Sequence, residues 1–406
     1  MLDTTCLPEI GLLQNQDSDL STIKKYEAIV VGAGPAGITV VGNLIEQKKT
    51  PILWIDDEFQ GGRLHKCYRE VPSNTRVKLF VAFCDALSSF REIAKNTQRP
   101  NAYTLLQALR QDDTCHIAEA ADLCLMLTQG LNETLGVYKR QGTVTSASWS
   151  DWGITFECLS NNVIEKSEIY SNILVLCTGS YPKTDILPVS HLQEINLDLA
   201  LKPTLLSSTF PKDSKPTVAV IGASHSAILV LRNFYNLACS SHQNLRIKWF
   251  TRHPLRYAED RDGWILNDNT GLKGEISIWA KENIEVGKLE LSPVGKFLEK
   301  IDTSIKEDEE NYIKHLMSCT HVVQAIGFTP REIPVMKRNG KKLNLNFNHD
   351  LQTFEENGEN VAGLFGAGIA WPQQVTDPEG HVSLDVGLWK FMKSAKKAAP
   401  LWQGAS

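Results

Sequence analysis

The chain has 406 residues, more than one hydrophobic core usually accommodates, so two domains are expected. Apolar residues make up 42% and charged residues 22%, an ordinary globular balance, and a net charge of −5 gives no electrostatic reason to expect nucleic acid or an anionic membrane as a partner. No apolar run is long enough to span a bilayer, and the N-terminal "MLDTTCLPEIGLLQNQ" lacks the basic start and apolar core of a signal peptide. The 9 cysteines show neither C-x-x-C nor zinc spacing, so reduced thiols, no metal and a cytoplasmic location are expected.

In chain order, residues 1–25 are polar without a clear period and read as an N-terminal arm. A strand is expected over 27–31, a helix over 35–47 and a second strand over 51–55. From Asp85 to Leu131 the pattern is helical, interrupted at "QRPNAY". Short strand signals then follow to Cys177 and suggest a β-meander ending in a buried strand. "FPKDSKP" reads as a linker, after which a second strand–helix–strand run fills 217–251. Lys306–Asn311 is a charged run expected in a solvated loop, and 339–360 suits a hairpin.

The first strand runs into Gly32-Ala33-Gly34-Pro35-Ala36-Gly37, which is G-x-G-x-x-G between a strand and a helix. Gly32 allows the tight turn, Gly34 lets a diphosphate approach the backbone, and Gly37 lets helix and strand pack closely. Asp56 lies 19 residues beyond Gly37, where an acid binds a ribose diol; Asp57 and Glu58 are adjacent alternatives. A second copy, Gly222-Ala223-Ser224-His225-Ser226-Ala227, has serine and alanine at the second and third glycine positions. Its following strand ends in Arg252 rather than an acid, which suits the 2′-phosphate of NADPH.

Two such motifs, with Cys177-Thr178-Gly179 between them, resemble the flavoproteins that carry two dinucleotide-binding domains. That superfamily includes disulfide reductases, flavin-containing monooxygenases and N-hydroxylating monooxygenases. Gln324-Ala325-Ile326-Gly327-Phe328-Thr329-Pro330 is similar to the segment where such chains leave the NADPH domain, and Gly363-Leu364-Phe365-Gly366-Ala367-Gly368-Ile369 to their last FAD segment. The resemblance implies an α/β fold of two Rossmann-like three-layer domains. FAD is expected on 26–205 together with 326–406, and NADPH on an inserted domain of 215–325. Thr178, Gly179, Gly366 and Gly368 are the implied later FAD contacts. Ile369 stands where the family usually has an acid, which shifts the expected binding onto backbone donors. The G-G pair Gly61-Gly62, followed by Arg63, is similar to the segment that passes beneath the flavin in the monooxygenases.

The redox cysteine pair of the disulfide reductases is missing, since Cys67 has no near partner in sequence. The leading reading is therefore an NADPH-dependent flavin monooxygenase that uses dioxygen, through a C4a oxygen adduct, on a small organic molecule. A non-oxygenating reductase or oxidase and a flavin-binding regulatory protein of low turnover are the alternatives. Arg63, His65 and His381 are the candidate catalytic residues, with Asn74 and Lys78 as further polar neighbours of the flavin. Trp371 and Trp389 suit core packing better than a pocket wall. Self-association is left open.

Overall fold

The protein is described from a computed structural model covering residues 25–149, 152–160, 163–305 and 309–403. The expected arm, apart from Lys25, and part of the charged run lie outside these residues.

The first sheet has a parallel half. Glu359–Gly366, Val163–Leu176, Lys25–Val31, Ile52–Asp56 and Val137–Gln141 lie side by side in that order. Within Lys25–Val31 the alternation of side chains divides the core. Ala28 and Val30 face helices Pro35–Glu46, Ile117–Asn132 and Leu388–Ala398, while Ile29 faces the opposite layer. That layer is made of strands, not helices. Val144, Ala147, Trp152 and Ile154 of the meander meet Met336, Phe354 and Leu364 there. Two strands expected before Cys177 are one continuous strand, Val163–Leu176. Its beginning pairs antiparallel with Trp152–Ser160 and its end runs parallel to Lys25–Val31.

The second sheet is wholly parallel and lies between two stretches of the first in sequence. Its order is Gln193–Glu194, His321–Gln324, Thr217–Ile221, Arg246–Thr251 and Leu298–Asp302. Helices His225–Ser240 and Gly274–Asn283 cover one face, and Glu309–Met317 covers the other. The expected boundary near 205 differs from the packing. Ile195, Leu197, Leu201, Leu206 and Phe210 are buried in the second core, because their apolar side chains cover the sheet edge opened by Gln193–Glu194.

Among the described residues no helix is long and apolar enough to cross a membrane. Seven of the cysteines, Cys67, Cys84, Cys115, Cys124, Cys177, Cys239 and Cys319, are free thiols, and five of these are buried. Burial pushes the Cys84 and Cys124 thiols up to about 12, so they behave as small apolar groups rather than nucleophiles.

Candidate functional site

The glycine segments that are far apart in sequence meet at the start of helix Pro35–Glu46. Gly32 has φ +109°, and a Cβ there would stand 2.2 Å from the Cys177 carbonyl oxygen. A Cβ on Gly62 would come within 2.7 Å of Gly34 Cα, and one on Gly368 within 2.4 Å of Ala36 Cβ. The G-G segment and the last motif thus close on the first motif from two sides. Pro35 opens the helix, its N-cap Gly34 offers no side-chain cap, and no acid stands in its first turn. The first-turn N–H groups and the positive end of the helix dipole therefore face outward for an anion. The Thr178 hydroxyl is buried beside this turn with no hydrogen-bond partner. Backbone cradle, helix end and waiting donor fit the diphosphate of a flavin dinucleotide.

Two candidates have further contacts. Asp56 Oδ2 accepts from Ala33 N at 2.7 Å, and Oδ1 accepts from Glu58 N at 2.8 Å and Phe59 N at 2.7 Å. Both its oxygens accept from backbone, and Oδ2 keeps a free acceptor site, while Asp57 beside it is exposed and reaches outward from the same turn. Burial, then the charges of Asp56 and Glu58, raise the Asp57 carboxyl above its ordinary value. On the side of its missing Cβ, Gly366 faces the ring cluster of Phe347 and Trp371, where a Cβ would stand 2.7 Å from either ring, whereas Gly368 faces Ala36 of the first motif.

The second motif opens a cleft of about 640 Å³ lined by Gly222, Ser224, Arg252, His253, Arg256 and Tyr312, among others. Arg252, His253 and Arg256 are exposed on its rim, and neither arginine has an ion pair among the described residues. His225 and Ser226 do not line this cleft. The His225 ring nitrogens are buried, with the Pro72 carbonyl facing the ring without closing a hydrogen bond. Burial lowers its imidazole to about 4, so the ring is neutral near neutrality.

Arg63 forms an ion pair with Asp198, and its guanidinium donates to the Tyr68 hydroxyl at 3.1 Å. The Tyr68 hydroxyl donates to the second Asp198 oxygen at 2.8 Å. This triad joins helix Gly62–Cys67 to the segment that enters the second core. Arg63 therefore braces two domains, a role its sequence position did not reveal. His65 is half-buried on the same helix, and its ring has no hydrogen bond among the described residues. His381 is 64% exposed, and Asp377 holds both its backbone N–H and its Nδ1 in a turn. Asn74 is exposed, and the exposed Lys78 pairs with Asp112 at 2.7 Å. Trp371 stacks among Phe347 and Phe354, and Trp389 packs on the helical core, as expected of core rings.

Sequence reasoning missed a second tie between the cores. Asp268 pairs with Lys273 and Lys390, Lys390 also reaches Asp385 at 3.5 Å, and Asn269 Nδ2 donates to Asp385 at 3.0 Å and Ser383 at 2.9 Å. Burial works to raise the Asp268 carboxyl, but the bonds from Lys273 and Lys390 bring it below its ordinary value. No local motif marks these residues, because their partners come from opposite ends of the fold.

Over 394 residues the chain is 46% identical to "Monooxygenase AgnR1" of Paecilomyces divaricatus, covering 95% of this chain and 100% of that one. The chain belongs to the same monooxygenase family. No protein-family model matches it. Its fold is similar to that of a flavin monooxygenase variant from Stenotrophomonas maltophilia, with a TM-score of 0.55 at 13% identity over 94% of this chain and 98% of that one. It is also similar to FAD-bound OTEMO, with a TM-score of 0.51 at 12% identity over 93% and 98% of the two chains. These likenesses show the α/β, Rossmann-like fold, and the 46% relative establishes the family.

Proposed function

We propose that the protein is an FAD-dependent monooxygenase reduced by NADPH and acting on a small organic molecule. The observation that carries this reading is the meeting of Gly34, Gly62, Ala36 and Gly368 at one uncapped helix start, in a chain of monooxygenase family. The first-motif loop holds the diphosphate through backbone N–H groups, and Asp57 takes the adenosine ribose. Arg252, with Arg256 beside it, takes the 2′-phosphate of NADPH at the rim of the second cleft. A bound flavin supplies hydride acceptance from the nicotinamide and the reaction with dioxygen. The chain's own contribution is to orient the two nucleotides. The Arg63–Tyr68–Asp198 triad and the Asp268–Lys273–Lys390–Asp385 cluster hold one domain against the other.

No thiol enters this scheme. Burial, foremost, raises the Cys67 thiol, and no described cysteine pairs with another. The test has three readings on the purified chain. Denaturation should release FAD rather than FMN, NADPH should bleach the flavin, and oxygen uptake should rise with an organic substrate whose product carries the added oxygen. Flavin reduction with reoxidation but no oxygen transfer to any substrate would replace this reading with an oxidase or reductase. Absence of flavin after reconstitution would remove both.

A further inference from the structure

Arg331 lies just beyond the "Gly327-Phe328-Thr329-Pro330" crossing, in a place to which no motif assigns a role. Its backbone N–H donates to the Gly179 carbonyl at 3.0 Å. Its guanidinium lies 4.7 Å from the centre of the Tyr181 ring, and Arg63 approaches the same ring at 5.7 Å. Tyr181 is thus flanked by two cations, but their situations differ. Arg63 has a carboxylate partner in Asp198, whereas Arg331 has no ion pair among the described residues. The Arg331 Nε is shut off from solvent with no acceptor, and so is the Thr178 hydroxyl one residue before Gly179. A buried guanidinium N–H without an acceptor is costly unless something brings one.

The surroundings say where that acceptor would sit. Cys177 N bonds the Val31 carbonyl at 2.8 Å, so Thr178 and Gly179 emerge beside the Gly32 turn. Gly179 has φ +74°, and the place its Cβ would take is open. The Arg331 charge also acts, as the smallest of several influences, on the Asp57 carboxylate. Arg331 is thus tied by its backbone to the Thr178-Gly179 segment and by its charge to the ribose-acid side.

We propose that Arg331 is an anion-binding residue for the ADP half of the flavin dinucleotide, with the Thr178 hydroxyl as the second donor. The assignment rests on the flavoprotein reading above. Guanidinium bonds to a diphosphate are charge-assisted, and the Tyr181 ring supports the cation from one face, a contact that a lysine ammonium also makes.

The experiment titrates FAD into the full-length chain freed of flavin, following fluorescence quenching, with ADP and adenosine as competitors. Wild type, Arg331→Met and Arg331→Lys are compared, and the melting temperature of each flavin-free protein is recorded. Arg331→Met should weaken FAD and ADP by about 10- to 150-fold while leaving adenosine competition unchanged, and Arg331→Lys should recover most of the loss. Equal weakening of adenosine and ADP by Arg331→Met would make Arg331 a packing residue and overturn the assignment. So would unchanged FAD binding, or an Arg331→Lys variant as weak as Arg331→Met. If Arg331→Met does not fold, the lysine variant decides alone: a loss of well over tenfold without a fall in melting temperature refutes a charge-based role. A wild type that fails to bind FAD overturns the flavoprotein reading and this assignment together, whereas binding unaffected by either variant overturns the assignment only.

Discussion

The two nucleotide motifs of this chain are built on the same hydrogen-bond frame and end in opposite charge. In the first, Gly32 N donates to the Ile55 carbonyl at 2.7 Å, and the Trp54 indole donates to the Gly32 carbonyl at 2.9 Å. In the second, Gly222 N donates to Phe250 at 3.0 Å, and the Trp249 indole to Gly222 at 2.7 Å. The neighbouring strand is tied alike, through Cys177 N to Val31 and Ala325 N to Ile221, both at 2.8 Å. Trp54 thus matches Trp249, Asp56 matches Thr251, and Asp57 matches Arg252. Asp56 and Thr251 have one task in common, since each uses a side-chain oxygen to organise the turn that follows its strand. The residue after them is the exposed one, an acid in the first copy and a base in the second. On the proposed function, the frame would set the position at which a ribose is read, and one side chain there would select diol or phosphate.

The sharpest break in the comparison comes at the first glycines. A Cβ on Gly32 would lie 2.2 Å from the Cys177 carbonyl and one on Gly222 2.3 Å from the Ala325 carbonyl, and both glycines have positive φ. Gly32→Val should abolish flavin binding, seen as loss of the yellow colour. Gly222→Val should keep the flavin and abolish its reduction by NADPH. If both variants lose flavin, the two copies do not hold separate nucleotides.

Next in size is the base. Arg252→Ala removes one or more charge-assisted hydrogen bonds and should weaken NADPH by about 10- to 150-fold, with NADH nearly unaffected. Arg256 is close on the same rim and would blunt the loss, so the double variant should exceed it. The check is the rate of flavin reduction against nucleotide concentration; equal losses for both nucleotides would make Arg252 a structural residue.

Smaller still, and aimed at the register of the match, is the pair of acids. Asp57→Asn should weaken FAD by about tenfold and leave the melting temperature unchanged. Asp56→Asn disturbs bonds to three backbone N–H groups and should cost about 1–3 kcal/mol of stability. The reverse pattern in flavin titration and thermal melting would return the ribose role to Asp56.

How much of this was legible in the sequence follows from how local each signal is. Gly32, Gly34 and Pro35 announced a strand–turn–helix because the turn demands those residues in that order. The order of the motifs was enough to foresee two α/β domains. The choice between Asp56 and Asp57 was not legible. It depends on which strand residue pairs with Val137–Gln141 and which leaves the sheet, a matter of one residue of register. The pattern implies Gly366 as a nucleotide contact, but it gives no sign that Trp371 and Phe347 stand on the side of its missing Cβ. Arg63 was singled out for the flavin, but its partner Asp198 is 135 residues away, and a single chain of letters gives no sign of that pairing. The segment 193–205 was expected with the first core and packs in the second for the same reason, since its apolar residues state only that they are buried.

The smallest effect expected distinguishes the two helix starts by pH. Proline opens the helix of the first copy, and His225 opens that of the second. Burial, first, and then the charges of Arg232 and Lys273 bring the His225 imidazole from 6.5 down to about 4, against an opposing pull from the Pro72 carbonyl. The folded value lies below the unfolded one, so between them the unfolded chain binds more protons. The stability associated with a neutral His225 is complete above 6.5 and is lost as pH falls towards about 4. Carboxylates also titrate towards the lower end of that window, so the informative quantity is a difference. His225→Asn cannot take up the proton, and its melting temperature should gain on wild type as pH is lowered through the window, while the gap between them stays constant above about pH 7. A gap that does not change with pH would mean that the ring is open to water and titrates alike in both states.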